Sequence, residues 1–248
     1  DAKRSIERGI GPCKSAGTFG LEKLADLSGR CLRPFRGEPI CLVDTGICMA
    51  LWLLRGLEAA SILGEQAFVD ENESLATVDL GPTKTDPEGR GCKRTLFCAC
   101  DKVQGTFTKA AICPVHSLLA VFEARRSLGL TGKHPLFPQA NGKATSASGV
   151  KHAFAALLKV SVGEHSFRRE GAQFYARRGV ELPIIQFLGR WGSDTVKRYV
   201  GEALGDQASH AAQAATRAVV RPAGLTDDSF ADVAAALKRL DVLEGQLE

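Results

Sequence analysis

The sequence predicts an α+β fold, mostly helical with a small antiparallel β-sheet. Three observations predict it. Two segments with strand propensity, Leu75-Ala76-Thr77-Val78-Asp79-Leu80 and Arg94-Thr95-Leu96-Phe97-Cys98, stand on either side of the turn residues Asp86-Pro87-Glu88-Gly89-Arg90-Gly91, which is the pattern of a β-hairpin. The other patterned segments, before and after this pair, read as helices. The composition, 44% hydrophobic and 24% charged over 248 residues, is that of a globular chain able to bury a sizeable core.

The elements follow in chain order. Residues 1–37 are rich in Gly, Lys and Arg and close on the turn signal Pro34-Phe35-Arg36-Gly37, so they read as a linker or the remnant of a missing N-terminal domain. The chain starts at Asp1 with no basic-then-apolar leader and is read as a fragment. From Ile40 a dense apolar run, Ile47 to Leu54, continues through Arg55-Gly56-Leu57-Glu58 to Leu63, a buried helix interrupted by polar residues. That run is far shorter than the roughly 20 residues a membrane span needs, so no membrane partner is expected. Lys84 sits just before the hairpin tip. After Pro114 the pattern turns helical, and again over residues 148–158. Residues 165–178 form a helix stopped by Gly179, residues 182–188 a short one, and Ser193 caps one running through Tyr199. Residues 206–248 are an Ala-rich linker, broken at Pro222-Ala223-Gly224, and then a helix from Thr226 whose Phe230, Val233, Leu237, Leu240 and Leu247 form an apolar stripe. Residues 38–205 are the main domain.

The net charge of +4 is too small to identify a nucleic-acid binder, because phosphate binding depends on local Lys and Arg density. Eight cysteines in a chain of this length do not make a disulfide scaffold, which points to a reducing, intracellular setting.

The densest chemistry lies late in the chain. His165 and Arg168 are three apart, on one face of a helix start, where both can donate to a single anion. Leu188-Gly189-Arg190-Trp191-Gly192-Ser193 follows, and Tyr199 comes eight residues after Trp191, with Val196 and Val200 set to pack beneath it. With Arg55 and Glu58 in an R-x-x-E pattern and Lys84 on the hairpin, the chain resembles the tyrosine recombinase (phage integrase-like) superfamily over roughly residues 38–205. That family carries, in order, an Arg in R-x-x-E, a hairpin Lys, H-x-x-R, a His or Trp after a Gly-containing turn, and a Tyr. Here the order is filled by Arg55 with Glu58, Lys84, His165 with Arg168, Trp191 and Tyr199. The Gly-Arg-Trp wording, and a spacing to Tyr199 one shorter than in many phage and bacterial members, look more like recombinases of eukaryotic mobile elements such as cryptons.

The resemblance implies a DNA breaking-rejoining enzyme fold and site-specific recombination or integration through a 3′-phosphotyrosyl intermediate. Tyr199 would be the nucleophile, storing the phosphodiester energy in a covalent link, so that catalysis needs no cofactor. Arg55 and Arg168 offer planar forks to the nonbridging oxygens. Lys84 would protonate the leaving 5′ oxygen, His165 would donate to the phosphate or assist Tyr199, and Trp191 would donate its indole N–H or buttress the pocket. The partners implied are double-stranded DNA and further copies of the chain on DNA, in a nucleus if the host is eukaryotic and in the cytoplasm if bacterial. Plainer readings stand beside these. Tyr199 suits a core tyrosine, Arg55 and Glu58 a structural ion pair, and Lys84 a solvated hairpin lysine with Lys93 nearby. Arg169, Arg177, Arg178, Lys197 and Arg198 are either a solvated face or contacts to the DNA backbone.

A second constellation, Cys98-x-Cys100 and Cys113-Pro114-Val115-His116, has the donors of a Cys₃His zinc site. The alternative is small buried cysteines where a sheet packs against a helix. Two rivals to the recombinase reading are a type IB topoisomerase-like enzyme and a catalytically silent DNA-binding module derived from a mobile element.

Overall fold

The structure, a computed structural model, describes residues 18–27, 37–70, 72–82, 91–103, 106–163, 165–191, 196–197, 199–201 and 203–205. The chain divides into two compact units, Asp1–Leu204 and Gly205–Glu248. The final-helix reading at Thr226 and its apolar stripe lie outside the described residues.

The first unit is built around one buried helix. After a short α1 (Glu22–Ala25), helix α2 (Leu42–Leu51) is buried along almost its whole circumference, as its apolar sequence demands. It is covered by α4 (Pro114–Ser127) on one side and α6 (Ser166–Arg177) on another. The interrupted helix expected from Ile40 to Leu63 is two helices. Leu53 takes a left-handed φ of 52°, the chain turns, and α3 (Gly56–Ser61) starts anew from Arg55. Helix α5 (Ala147–Leu158), capped by the Ser146 hydroxyl on the Gly149 N–H, packs against α3. Helix α7 (Leu182–Gly189) packs against α6.

The sheet is three-stranded and antiparallel in the order β1 (Ala67–Val69), β2 (Leu75–Leu80), β3 (Cys92–Phe97). The β2–β3 register runs from Leu75 opposite Phe97 to Leu80 opposite Cys92. Alternation on β2 sends Ala76, Val78 and Leu80 into the core. The sequence pattern finds β2 and β3. It misses β1 and a second hairpin, β4 (Asp101–Val103) with β5 (Thr106–Thr108), whose three-residue strands are too short to carry an alternation signal.

Of residues 1–37, read from composition as a linker or domain remnant, the described stretch 18–27 packs into the core. Phe19, Leu21 and Leu24 are core residues, the Phe19 ring packs edge-on against Phe167 at 5.3 Å, and the buried Glu170 carboxylate accepts the Phe19 and Gly20 N–H groups. These few apolar residues lie among Gly, Lys and Arg, which hides them in a compositional reading.

The α2–α6 contact is backbone on backbone. A Cβ placed on Gly171 of α6 would stand 1.8 Å from the Ala50 carbonyl oxygen of α2, so only glycine permits this approach. Gly171→Ala is expected to cost on the order of 3 kcal/mol. Thermal unfolding checks this, with Gly201→Ala as the control, since a Cβ at Gly201 meets nothing within 4 Å; a Gly171→Ala midpoint within a degree of the parent would contradict the packing.

Candidate active site

Two local features of the chain set the site. Arg55 is the N-cap of α3 and Glu58 its third residue, so the Glu58 carboxylate reaches back and accepts the Arg55 backbone N–H at 2.9 Å. The same carboxylate accepts Arg55 Nη1 at 2.8 Å. The four-residue R-x-x-E spacing therefore does two jobs, closing the helix end and fixing a guanidinium beside it.

From α6 comes Arg168, 1% exposed, the largest fully buried side chain of the core. Its Nη1 donates to the Leu53 carbonyl at 3.0 Å and stands 3.8 Å from Glu58 Oε2. Its Nε and Nη2 have no hydrogen-bond partner among the described residues. A buried guanidinium with two orphaned nitrogens is costly and calls for an anion. Burial first, then repulsion from Arg55, pulls its pKa down to about 10, while Glu58 opposes the shift.

The end of α7 supplies a third guanidinium, Arg190, which sequence reasoning does not single out. It holds a left-handed φ of 53°, and its Nη2 reaches Glu58 Oε1 at 2.6 Å. The turn is stabilised by the Trp191 N–H and the Gln186 side chain bonding each other's carbonyls, Gln186 O and Trp191 O, both at 3.1 Å. Gly189 leaves room for the Trp191 ring, which a Cβ there would meet at 2.0 Å. A signal for Arg190 is present in the sequence: it lies nine residues before Tyr199, the spacing that the Trp191 assignment misses by one.

The Trp191 ring makes two packing contacts. The Arg168 guanidinium carbon lies 4.5 Å from its ring centre, and the ring lies 5.5 Å from that of Tyr199. Tyr199 is half-buried, held over a small core in which Val196 and Val200 meet Leu53, Ala172 and Ile185. The His165 ring, exposed at the start of α6, stacks toward Tyr199 at 6.5 Å. Arg55, Glu58, His165, Arg168, Trp191 and Tyr199 are thus brought together, with Arg190 added. The other tyrosine, Tyr175, is no competitor: its hydroxyl donates to the Leu51 carbonyl at 2.8 Å and burial pushes its pKa up. It lines a separate cleft of about 550 Å³ with Leu51, Leu96, Ile112 and Phe174.

Lys84 and the Arg198 side chain lie outside the described residues. Lys197 is exposed on the Tyr199 helix. Of the other arginines proposed for DNA, Arg178 stacks on Phe174 at 3.5 Å and pairs with Glu22, and Arg177 donates to Gln173, both away from the Glu58 cluster. Arg169 is half-buried on α6, its backbone N–H donating to the His165 carbonyl at 2.9 Å.

The structure also brings Cys98, Cys100, Cys113 and His116 together, their donor atoms all within 4.8 Å of one another. Cys98 and Cys100 lie in the link after β3 rather than on a strand, and Cys113 and His116 open α4.

No protein-family model and no curated protein matches the sequence. Solved structures do. The chain is similar to the XerA recombinase, at 17% identity over 81% of this chain and 65% of that one, with a TM-score of 0.54. It is similar to the XerH site-specific recombinase in a post-cleavage complex with palindromic difH substrate, at 13% identity over 82% and 55% of the two chains, TM-score 0.56. The pre-cleavage XerH complex with difH gives 14% identity over 80% and 56%, TM-score 0.51. The chain therefore spans 55% to 65% of the length of these relatives. What it shares with them is the α+β fold of the tyrosine recombinase catalytic domain.

Proposed function

We propose that this chain cleaves and rejoins DNA as a site-specific tyrosine recombinase or integrase. The observation that carries the reading is the Glu58 cluster: three guanidinium groups share one carboxylate, and Arg168, with two buried nitrogens that have no hydrogen-bond partner among the described residues, lies over the Trp191 ring, which in turn packs against Tyr199. The fold shared with the two Xer recombinases supports it. One of those is described as a post-cleavage complex bound to palindromic difH substrate.

A scissile phosphate seated there takes donors from Arg168 and from the outer edges of Arg55 and Arg190. Tyr199 Oη attacks phosphorus, forming the O–P bond as the P–O5′ bond breaks, and the 3′ side of the strand stays on the enzyme. The tyrosyl proton passes to His165 or to water, and the 5′ oxygen takes a proton from Lys84. Negative charge gathering on the nonbridging oxygens meets guanidinium groups already in place, which is where most of the rate arises. Trp191 keeps Arg168 and Tyr199 in register by packing between them. Because the phosphotyrosyl bond conserves the phosphodiester energy, attack by a DNA hydroxyl reverses the chemistry without a cofactor. The reaction places the protein with double-stranded DNA inside a cell, and exchange between two sites requires several copies of the chain.

Incubation with a nicked or suicide DNA substrate, followed by denaturing electrophoresis, should show a covalent protein–DNA adduct, and Tyr199→Phe should abolish it while leaving DNA affinity within about threefold. Binding by the parent chain without any adduct would favour a silent DNA-binding module instead.

Arg168→Ala and Arg190→Ala should each slow cleavage at saturating DNA by at least about 100-fold. Trp191→Phe, which keeps the packing, should lose far less. Equal losses at Arg190 and Trp191 would break the assignment of roles. Lys197→Ala should leave cleavage at saturating DNA unchanged and lower the salt slope of binding by about 1, read from affinities across a salt series.

A further inference from the structure

The Cys98, Cys100, Cys113 and His116 cluster takes no part in the proposed reaction and shares no residue with it. Its geometry is that of a coordination site. Cys98 Sγ lies 3.7 Å from both Cys113 Sγ and His116 Nδ1. The same imidazole nitrogen lies 3.3 Å from Cys100 Sγ and 3.2 Å from Cys113 Sγ. A tetrahedral zinc with Zn–S near 2.3 Å and Zn–N near 2.0 Å has ligand–ligand edges of roughly 3.5–3.8 Å; two of these separations fall in that range, two lie a few tenths of an ångström below it, and all the donor atoms lie within 4.8 Å of one another. The sulfurs of Cys98 and Cys113 are too far apart for a disulfide, whose S–S bond is about 2.05 Å.

Two further features favour a thiolate set over three incidental thiols. The Ala99 N–H points at Cys113 Sγ at 3.4 Å and the Ala110 N–H at Cys100 Sγ at 3.2 Å. Backbone donors aimed at sulfur are the outer shell that metal thiolates use. The surrounding structure also needs a tie. Between the two pairs of donors lies the β4–β5 hairpin, with strands of three residues each, too short to hold together alone. The chain enters this hairpin from β3 and leaves it for α4, so four bonds to one ion would join the sheet, the hairpin and the helix that covers α2.

The geometry points to a structural zinc(II) bound by Cys98, Cys100, Cys113 and His116 Nδ1, a clasp that pins the β4–β5 hairpin between the sheet and α4. Three soft sulfurs and one imidazole select zinc over hard cations, and closure by four protein ligands makes the site structural rather than catalytic. On binding, the three thiols release their protons to solvent and the imidazole enters neutral. The inference does not rest on the recombinase reading.

The test is elemental analysis of the full chain purified without added chelator, together with cobalt(II) titration of protein stripped of metal. We expect close to one zinc per chain, a cobalt complex with the visible bands of a tetrahedral thiolate site, and a midpoint of thermal unfolding lowered by at least about 5 °C on stripping. The Cys98→Ser/Cys113→Ser variant should lose the metal, while Cys92→Ser, altered outside the cluster, should keep it. Less than a tenth of an equivalent of zinc, with no cobalt spectrum on titration, would overturn the proposal, as would full zinc content in the double variant. If the double variant fails to fold, the cobalt spectrum of the parent chain decides, since bands without thiolate charge transfer place the metal elsewhere.

Discussion

The site depends on one carboxylate. Glu58 faces Arg55, Arg168 and Arg190, which belong to three helical segments far apart in the chain. Without it, three guanidinium groups converging on a partly buried spot would repel one another with little solvent to screen them. With it they hold together and still carry a surplus of positive charge. The carboxylate is balanced enough to let the cluster fold and not enough to satisfy it: Nε and Nη2 of Arg168 stay without a hydrogen-bond partner among the described residues.

That arrangement is paid for by packing elsewhere. Arg168 reaches Glu58 because α6 lies flat on α2, and it does so because Gly171 lets the Ala50 carbonyl approach. The left-handed turn at Leu53 redirects the chain from α2 into α3 and offers its own carbonyl to Arg168. A second left-handed turn at Arg190 swings that side chain back toward Glu58. Two irregular backbone points, each at the end of a helix, therefore aim the charged groups, while the regular helices supply rigidity.

Tyr199 is held more lightly. Its helix is anchored by Val196, Val200 and Ala203 in a small core separate from the main one, and its ring meets those of Trp191 and His165. The proposed Cys/His clasp would be at the other extreme: four donors from two short stretches, closed on one ion, would hold the β4–β5 segment between the sheet and α4.

The sequence by itself determined the fold class, the β2–β3 hairpin and the residue types of the site, because periodicity, turn chemistry and the order of Arg55, Glu58, His165, Arg168 and Tyr199 are local or one-dimensional properties. The four donors Cys98, Cys100, Cys113 and His116 could be named for the same reason. Only the tertiary structure decided the rest. That Phe19 and Leu24 enter the core depends on a distant carboxylate, Glu170, and on the Phe167 ring. That Arg178 pairs with Glu22 depends on a residue more than 150 positions away in the chain. Arg190 rather than its neighbour Trp191 reaches Glu58 because a left-handed φ at one position reverses the chain, and a non-glycine left-handed turn leaves no periodic trace in a sequence.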